Sequence, residues 1–160
     1  MKIKVDGWQA HITFSSAHFI PEYDKCGRLH GHTYAIHAIV EGEVDARGII
    51  MDFSILKKVM NNIARELDHR ILIPTNGNLK ILESDGLVEV LLQNKRYMFP
   101  EEDCQRLPIV SSSAENLATY VLNRIKDEIA MPTNVTALHV GIDEGYGQGA
   151  WITTGYGEER

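Results

Sequence analysis

At Asp52 the spacing of apolar residues changes from every second position to every third or fourth, and no other feature constrains the fold as much. Ahead of it, His11-Ile12-Thr13-Phe14 and the run 32–44 alternate, with Thr33, Tyr34, Ile36, Ile39 and Val40 supplying the β-branched and aromatic side chains that strands prefer. Residues 15–29 between them, with Pro21 and Gly27, read as a loop. Beyond Asp52, the residues Ile55, Leu56, Val59, Met60, Ile63 and Leu67 share one face of a helix, with Asp52 or Ser54 as N-cap and an end near Asp68-His69. A second helix is expected from Ser112-Ser113-Ala114-Glu115, where Ser112 and Glu115 have the spacing of a capping box. Its apolar face is Leu117, Val121, Leu122, Ile125 and Ile129, and Pro132 closes it.

Between the helices, residues 73–105 read as an inserted hairpin. The runs 79–83 and 87–92 flank Ser84-Asp85-Gly86, and Arg96-Tyr97-Met98-Phe99 adds a short third strand. Residues 135–143 and 150–154 form a last hairpin around Gly145-Tyr146-Gly147-Gln148-Gly149. Strand pairs separated by helices predict an α+β domain spanning 1–160: an antiparallel four-stranded sheet with two helices on one face, plus an insert at about 73–111. Such a sheet keeps free edges, which proteins cover, charge or pair with another subunit.

The formal charge of −6 argues against a protein that grips a nucleic-acid backbone. No apolar run approaches the ~20 residues of a membrane span. The opening residues lack the apolar stretch of a secretory leader, and only Cys26 and Cys104 are present, so a cytoplasmic chain without a disulfide framework is expected.

Chemistry concentrates in Cys26-Gly27-Arg28-Leu29-His30-Gly31-His32. Side chains two apart on a strand share a face, so His30 and His32 can converge, and His18 can complete three imidazoles. Three neutral nitrogens suit Zn²⁺ and leave a tetrahedral position open, although copper and nickel also accept imidazole. Cys26 has two readings. As a fourth ligand it closes the site and makes it structural; outside the ligand set, beside the cation, it is a candidate base or nucleophile. Asp68 beside His69 can fix a histidine tautomer for proton transfer, or act as a plain cap. Glu144 ends an apolar strand before a glycine turn, where its carboxylate can accept two parallel hydrogen bonds from a guanidine-like edge such as a pterin presents. The glycine run after it leads into a strand rather than a helix, so it is no dinucleotide loop.

Together, Ala17-His18, the Cys26–His32 string, Gly42-Glu43-Val44-Asp45, Met51-Asp52-Phe53, Leu67-Asp68-His69 and Glu144 resemble the 6-pyruvoyl-tetrahydropterin synthase family. The histidine string is most similar to its bacterial and archaeal branch, the 6-carboxy-5,6,7,8-tetrahydropterin synthases of queuosine and archaeosine biosynthesis. The resemblance implies a tunnelling fold and a homo-oligomer (a hexamer) with sites at subunit interfaces. It implies zinc on His18, His30 and His32, Cys26 as base, Asp68 and His69 as a proton-transfer pair, and Glu144 and Ser113 as substrate contacts. The implied substrate is 7,8-dihydroneopterin triphosphate. Three departures bear on substrate preference: the insert replaces a short Leu-Asn continuation after Leu72, Ser113 stands where threonine is frequent, and Gly145 follows Glu144 in place of threonine.

Overall fold

The structure is a computed structural model that describes residues 1–21, 23–92 and 94–156. Strands β1 (Lys2–Val5), β2 (Thr13–His18) and β3 (His30–Gly42) precede helix α1 (Phe53–Leu67). Strands β4 (Arg70–Pro74), β5 (Lys80–Ser84), β6 (Leu87–Leu92), β7 (Lys95–Pro100) and β8 (Cys104–Leu107) follow, with a short 3₁₀ turn at Glu101–Asp103. Helix α2 (Ala114–Glu128) and strands β9 (Val135–Glu144) and β10 (Gly149–Gly155) complete the order.

The α+β class and the two helices match expectation; the antiparallel four-stranded sheet does not. Among the described residues the main sheet has seven strands in the order β10-β9-β3-β2-β4-β8, with β1 also paired to β3. It is mixed, because β4 runs parallel to both β2 and β8. Both parallel contacts follow from crossovers: α1 carries the chain from the β2–β3 hairpin to β4, and the insert carries it from β4 to β8. The insert is correspondingly narrower than 73–111, since Ile73 and residues 104–107 belong to the main sheet. Within the insert, β7 joins the β5–β6 hairpin as the expected third strand, giving an antiparallel three-stranded sheet.

Alternation along β3 sends Tyr34, Ile36, Ala38 and Val40 into a core shared with Phe14, Leu138, Val140 and Ile142. Leu56, Met60, Ile63 and Leu67 of α1 and Leu117, Val121, Leu122 and Ile125 of α2 close it. Each of these large side chains is at most 4% exposed, so truncating one to Ala costs about 2–5 kcal/mol.

Asp52 is the N-cap of α1, its carboxylate accepting from the Ser54 amide at 2.7 Å. For α2 the expected box of Ser112 and Glu115 is displaced by one residue. Ser113 caps the helix and accepts from the Asn116 amide, whereas Ser112 is fully buried and its hydroxyl donates to the Phe19 carbonyl at 3.3 Å. A second apolar cluster joins Phe19, Ile73, Val88, Val90, Leu92 and Cys104, seating the insert on the end of β2. Cys104 is a buried packing residue. No helix among the described residues is long and apolar enough to cross a membrane.

Candidate active site

The apolar stripe of β2 and β3 continues beyond the core as a polar cluster. His30 and His32 lie on the same face of β3 as Tyr34, and His18 is the cross-strand partner of His30. The ligand atoms of His18, His30 and His32 fall within 4.8 Å of one another. The Nε2 atoms of His18 and His30 face each other at 3.1 Å, and the His32 ring stands edge-on to both. Strand β2 runs on to His18 instead of giving way to a loop at Ser15, and pairing with β3 across six residues brings His18 level with His30.

Hydrogen bonds to backbone fix two of the rings. His18 Nδ1 lies 2.9 Å from the Ser112 carbonyl oxygen and His30 Nδ1 lies 2.7 Å from that of Arg28. A carbonyl only accepts, so each Nδ1 carries a proton, and in the neutral ring each Nε2 then presents a lone pair. His18 is fully buried, and burial pushes its pKa down to about 4, with the neighbouring His30 and His32 acting in the same direction against the Ser112 contact. Two lone pairs 3.1 Å apart repel unless a cation separates them. Imidazole nitrogens on a tetrahedral zinc stand at about that spacing, given ~2.0–2.1 Å bonds. The donor set therefore fits a divalent metal that accepts nitrogen ligands. Cys26 is not part of this cluster.

Glu144 borders the histidines. Its Oε1 lies 3.6 Å from His18 Nε2 and 3.5 Å from the Tyr34 hydroxyl, which donates to it. Burial, then the Glu144 charge, pushes the Tyr34 pKa well above the ordinary phenol value, so the hydroxyl stays protonated and remains a donor. Sequence reasoning missed Tyr34, although its place two residues beyond His32 on one strand face is the signal that finds it. Trp8 was missed as well: its indole N–H donates to Asp143 at 2.8 Å and its ring stacks on Tyr146 at 4.1 Å, tying down the turn after Glu144.

A cavity of about 730 Å³ opens beside Glu144. Cys26 and Tyr23 of the 19–29 loop line one wall, Ser113 and Asn116 at the start of α2 another, and Glu144 and Gln148 a third. Cys26 is exposed, and Ser113 combines its place in this wall with its capping role.

Asp68 and His69 do pair, with Asp68 Oδ2 2.8 Å from His69 Nδ1. His69 adopts φ 55°, the left-handed region, and donates its amide to the Ser15 carbonyl at 2.7 Å. Asp68 accepts from the Ser15 amide at 2.7 Å. Partial burial works against its ionisation, yet the Ser15 amide and His69 hold the carboxyl below the usual range. The pair does not meet Cys26: His69 lines a different cavity of about 630 Å³ with His32, Thr33, Arg70 and Asp103, and the two cavities share no lining residue.

The chain belongs to the 6-pyruvoyl tetrahydropterin synthase family, which matches residues 8–154. A protein of Methanocaldococcus jannaschii provisionally named a 6-carboxy-5,6,7,8-tetrahydropterin synthase is 37% identical over 154 residues, covering 94% of each chain. A dihydroneopterin monophosphate aldolase of Pyrococcus furiosus is 38% identical over 80 residues, 47% of this chain and 68% of that one. The crystal structure of Plasmodium vivax 6-pyruvoyl tetrahydropterin synthase superposes with a TM-score of 0.88 at 30% identity, covering 97% of this chain and 98% of that one. The expected tunnelling fold thus stands in its family and class, with the sheet corrected as described above.

Proposed function

We propose that this chain converts 7,8-dihydroneopterin triphosphate and one water to 6-carboxy-5,6,7,8-tetrahydropterin, acetaldehyde and triphosphate. The observation that carries the reading is the trio His18, His30 and His32, with two rings locked to present Nε2 and the Cys26 thiol outside the cluster. The 37% identity to the Methanocaldococcus jannaschii relative favours the carboxy product.

His18, His30 and His32 would hold zinc, which when bound supplies Lewis-acid polarisation of the substrate's side-chain oxygens. Glu144 anchors the pterin through two parallel hydrogen bonds to its guanidine-like edge, with Tyr34 steadying the carboxylate and Ser113 at the cavity wall. Cys26 takes and returns protons at one face of the substrate side chain. Asp68 holds His69 as the proton carrier for the other face. Since one chain separates Cys26 from His69, the complete site is formed by juxtaposing copies of the chain, which agrees with the free edges of β10 and β8.

Incubation with 7,8-dihydroneopterin triphosphate, with and without chelator, tests the reading. 6-Carboxytetrahydropterin and acetaldehyde in equal amounts, lost on chelation, are expected. A pyruvoyl product without acetaldehyde would replace the reading with the activity named for the Plasmodium vivax structure. Cleavage of a dihydroneopterin monophosphate would favour the activity named for the Pyrococcus furiosus relative.

A further inference from the structure

The inserted sheet meets the loop that carries Cys26 through a hydrogen bond and through aromatic and apolar packing. Lys95, at the start of β7, donates from Nζ to the carbonyl of Gly27, the residue after Cys26, at 3.2 Å. Tyr97 on the same strand lies flat against Phe19, the residue after His18, with ring centroids 5.6 Å apart and planes 10° from parallel. Phe99 extends the stack at 5.8 Å from Tyr97. Phe19 is completely buried in the cluster formed with Val88, Val90 and Leu92 of β6. The apolar face that makes the insert fold is thus the face packed on the root of the thiol loop.

The loop needs support. Tyr23, Asp24, Lys25 and Cys26 are all exposed. Among the described residues its internal backbone bonds are the Ile20 amide to the Cys26 carbonyl and the Gly27 amide to the Tyr23 carbonyl, both 2.7 Å, and the Tyr23 amide to the Ile20 carbonyl and the Arg28 amide to the Lys25 carbonyl, both 3.1 Å. These curl the middle of the loop, while His30 Nδ1 on the Arg28 carbonyl and the Ser112 hydroxyl on the Phe19 carbonyl hold only its two ends. Residue 27 must be glycine, because a Cβ there would run into the Tyr23 carbonyl oxygen.

We infer that the β5–β7 insert is a positioning device for Cys26, in which Lys95 holds the Gly27 carbonyl and Tyr97 clamps Phe19. The inference rests on the reading that Cys26 moves protons. Lys95 and Tyr97 are positioning residues: they touch the loop and line neither of the two cavities. A thiol displaced by about 1 Å can lose up to ~100-fold in rate, so a brace on an exposed loop acts on turnover more than on binding.

The test compares Lys95→Met, Lys95→Arg and Tyr97→Leu with the unaltered protein, each with its bound metal. Lys95→Met is expected to lower kcat roughly tenfold with KM and metal content unchanged, and Lys95→Arg to recover it, because a guanidinium can donate to the same carbonyl. Tyr97→Leu is expected to shift kcat in the same direction. Iodoacetamide labelling supplies a readout independent of turnover: Cys26 in Lys95→Met should react about threefold or more faster as the loop loosens, with buried Cys104 as internal reference. Wild-type labelling rates in both Lys95→Met and Tyr97→Leu overturn the brace, as does loss of metal alongside activity. Unchanged kcat in those variants beside an inactive Cys26→Ala overturns the brace alone. Full activity in Cys26→Ala removes the proton-transfer role and the inference with it.

Discussion

His18 and His30 point their Nε2 atoms at each other across 3.1 Å while their Nδ1 atoms are committed to the carbonyls of Ser112 and Arg28. Ring tautomers are therefore set by backbone before any metal arrives, and the binding nitrogens need little reordering. Replacing His30 with Ala should weaken zinc affinity by at least about a hundredfold while α1, α2 and the core beneath them stay folded. Metal analysis after dialysis, with circular dichroism alongside, checks this; full zinc content in the variant would remove His30 from the ligand set.

Cys26 lies outside the imidazole cluster and lines the same cavity as Glu144. Cys26→Ala should retain about one zinc per chain and lose at least ~100-fold in turnover, the scale of a positioned acid–base group. Metal content and product formation measured on one preparation decide it. Departure of the metal with the thiol would make the site a closed one.

Glu144 approaches both Tyr34 and His18, so its carboxylate is already placed when a ligand arrives. Glu144→Ala should weaken binding of a reduced pterin roughly tenfold and leave zinc content unaltered. A fluorescence titration reads the affinity directly. An unchanged dissociation constant would take Glu144 out of the pterin site.

Arg124 bridges the helices, donating to both carboxylate oxygens of Glu66 at 2.7 and 3.0 Å and also to Glu128 and Tyr120. The Arg124 guanidinium holds the Glu66 carboxyl below its ordinary 4.5, against the opposing effect of burial. A depressed folded-state pKa means the unfolded chain binds more protons as the pH falls, so the contribution is present above pH 4.5 and is lost as pH drops through the folded value. The pair is half exposed, so Glu66→Gln should cost no more than about 1 kcal/mol near neutrality, with the difference closing at more acidic pH. Urea unfolding of both proteins at pH 7 and pH 3.5 measures it; a deficit that persists undiminished in acid would contradict the assignment.

What could be read from residues alone was what local pattern encodes. The period change at Asp52 located α1, and Asp85-Gly86 located the β5–β6 turn, where Asp85 and Gly86 both take positive φ. The His-x-His spacing and the position of His18 anticipated the cluster because strand geometry alone makes those side chains converge. Strands β4 and β8 escaped, since five and four residues without alternation carry little signal and parallel pairing depends on distant crossovers. The cap of α2 slipped by one because adjacent serines satisfy the same pattern, and only the burial of Ser112 beneath Phe19 distinguishes them. That His69 lines a different cavity from Cys26 depends on how β2, β3, β4 and the 19–29 loop come together in space, which spacing along the chain does not report.

Absorption spectroscopy of the cobalt(II)-substituted protein tests most directly whether three imidazoles hold the ion and leave the sulfur free. One cobalt per chain with no intense thiolate-to-metal band in the near ultraviolet is the expected result, and Cys26→Ser should give the same spectrum. A strong charge-transfer band that disappears in Cys26→Ser would place the sulfur on the metal and contradict the account.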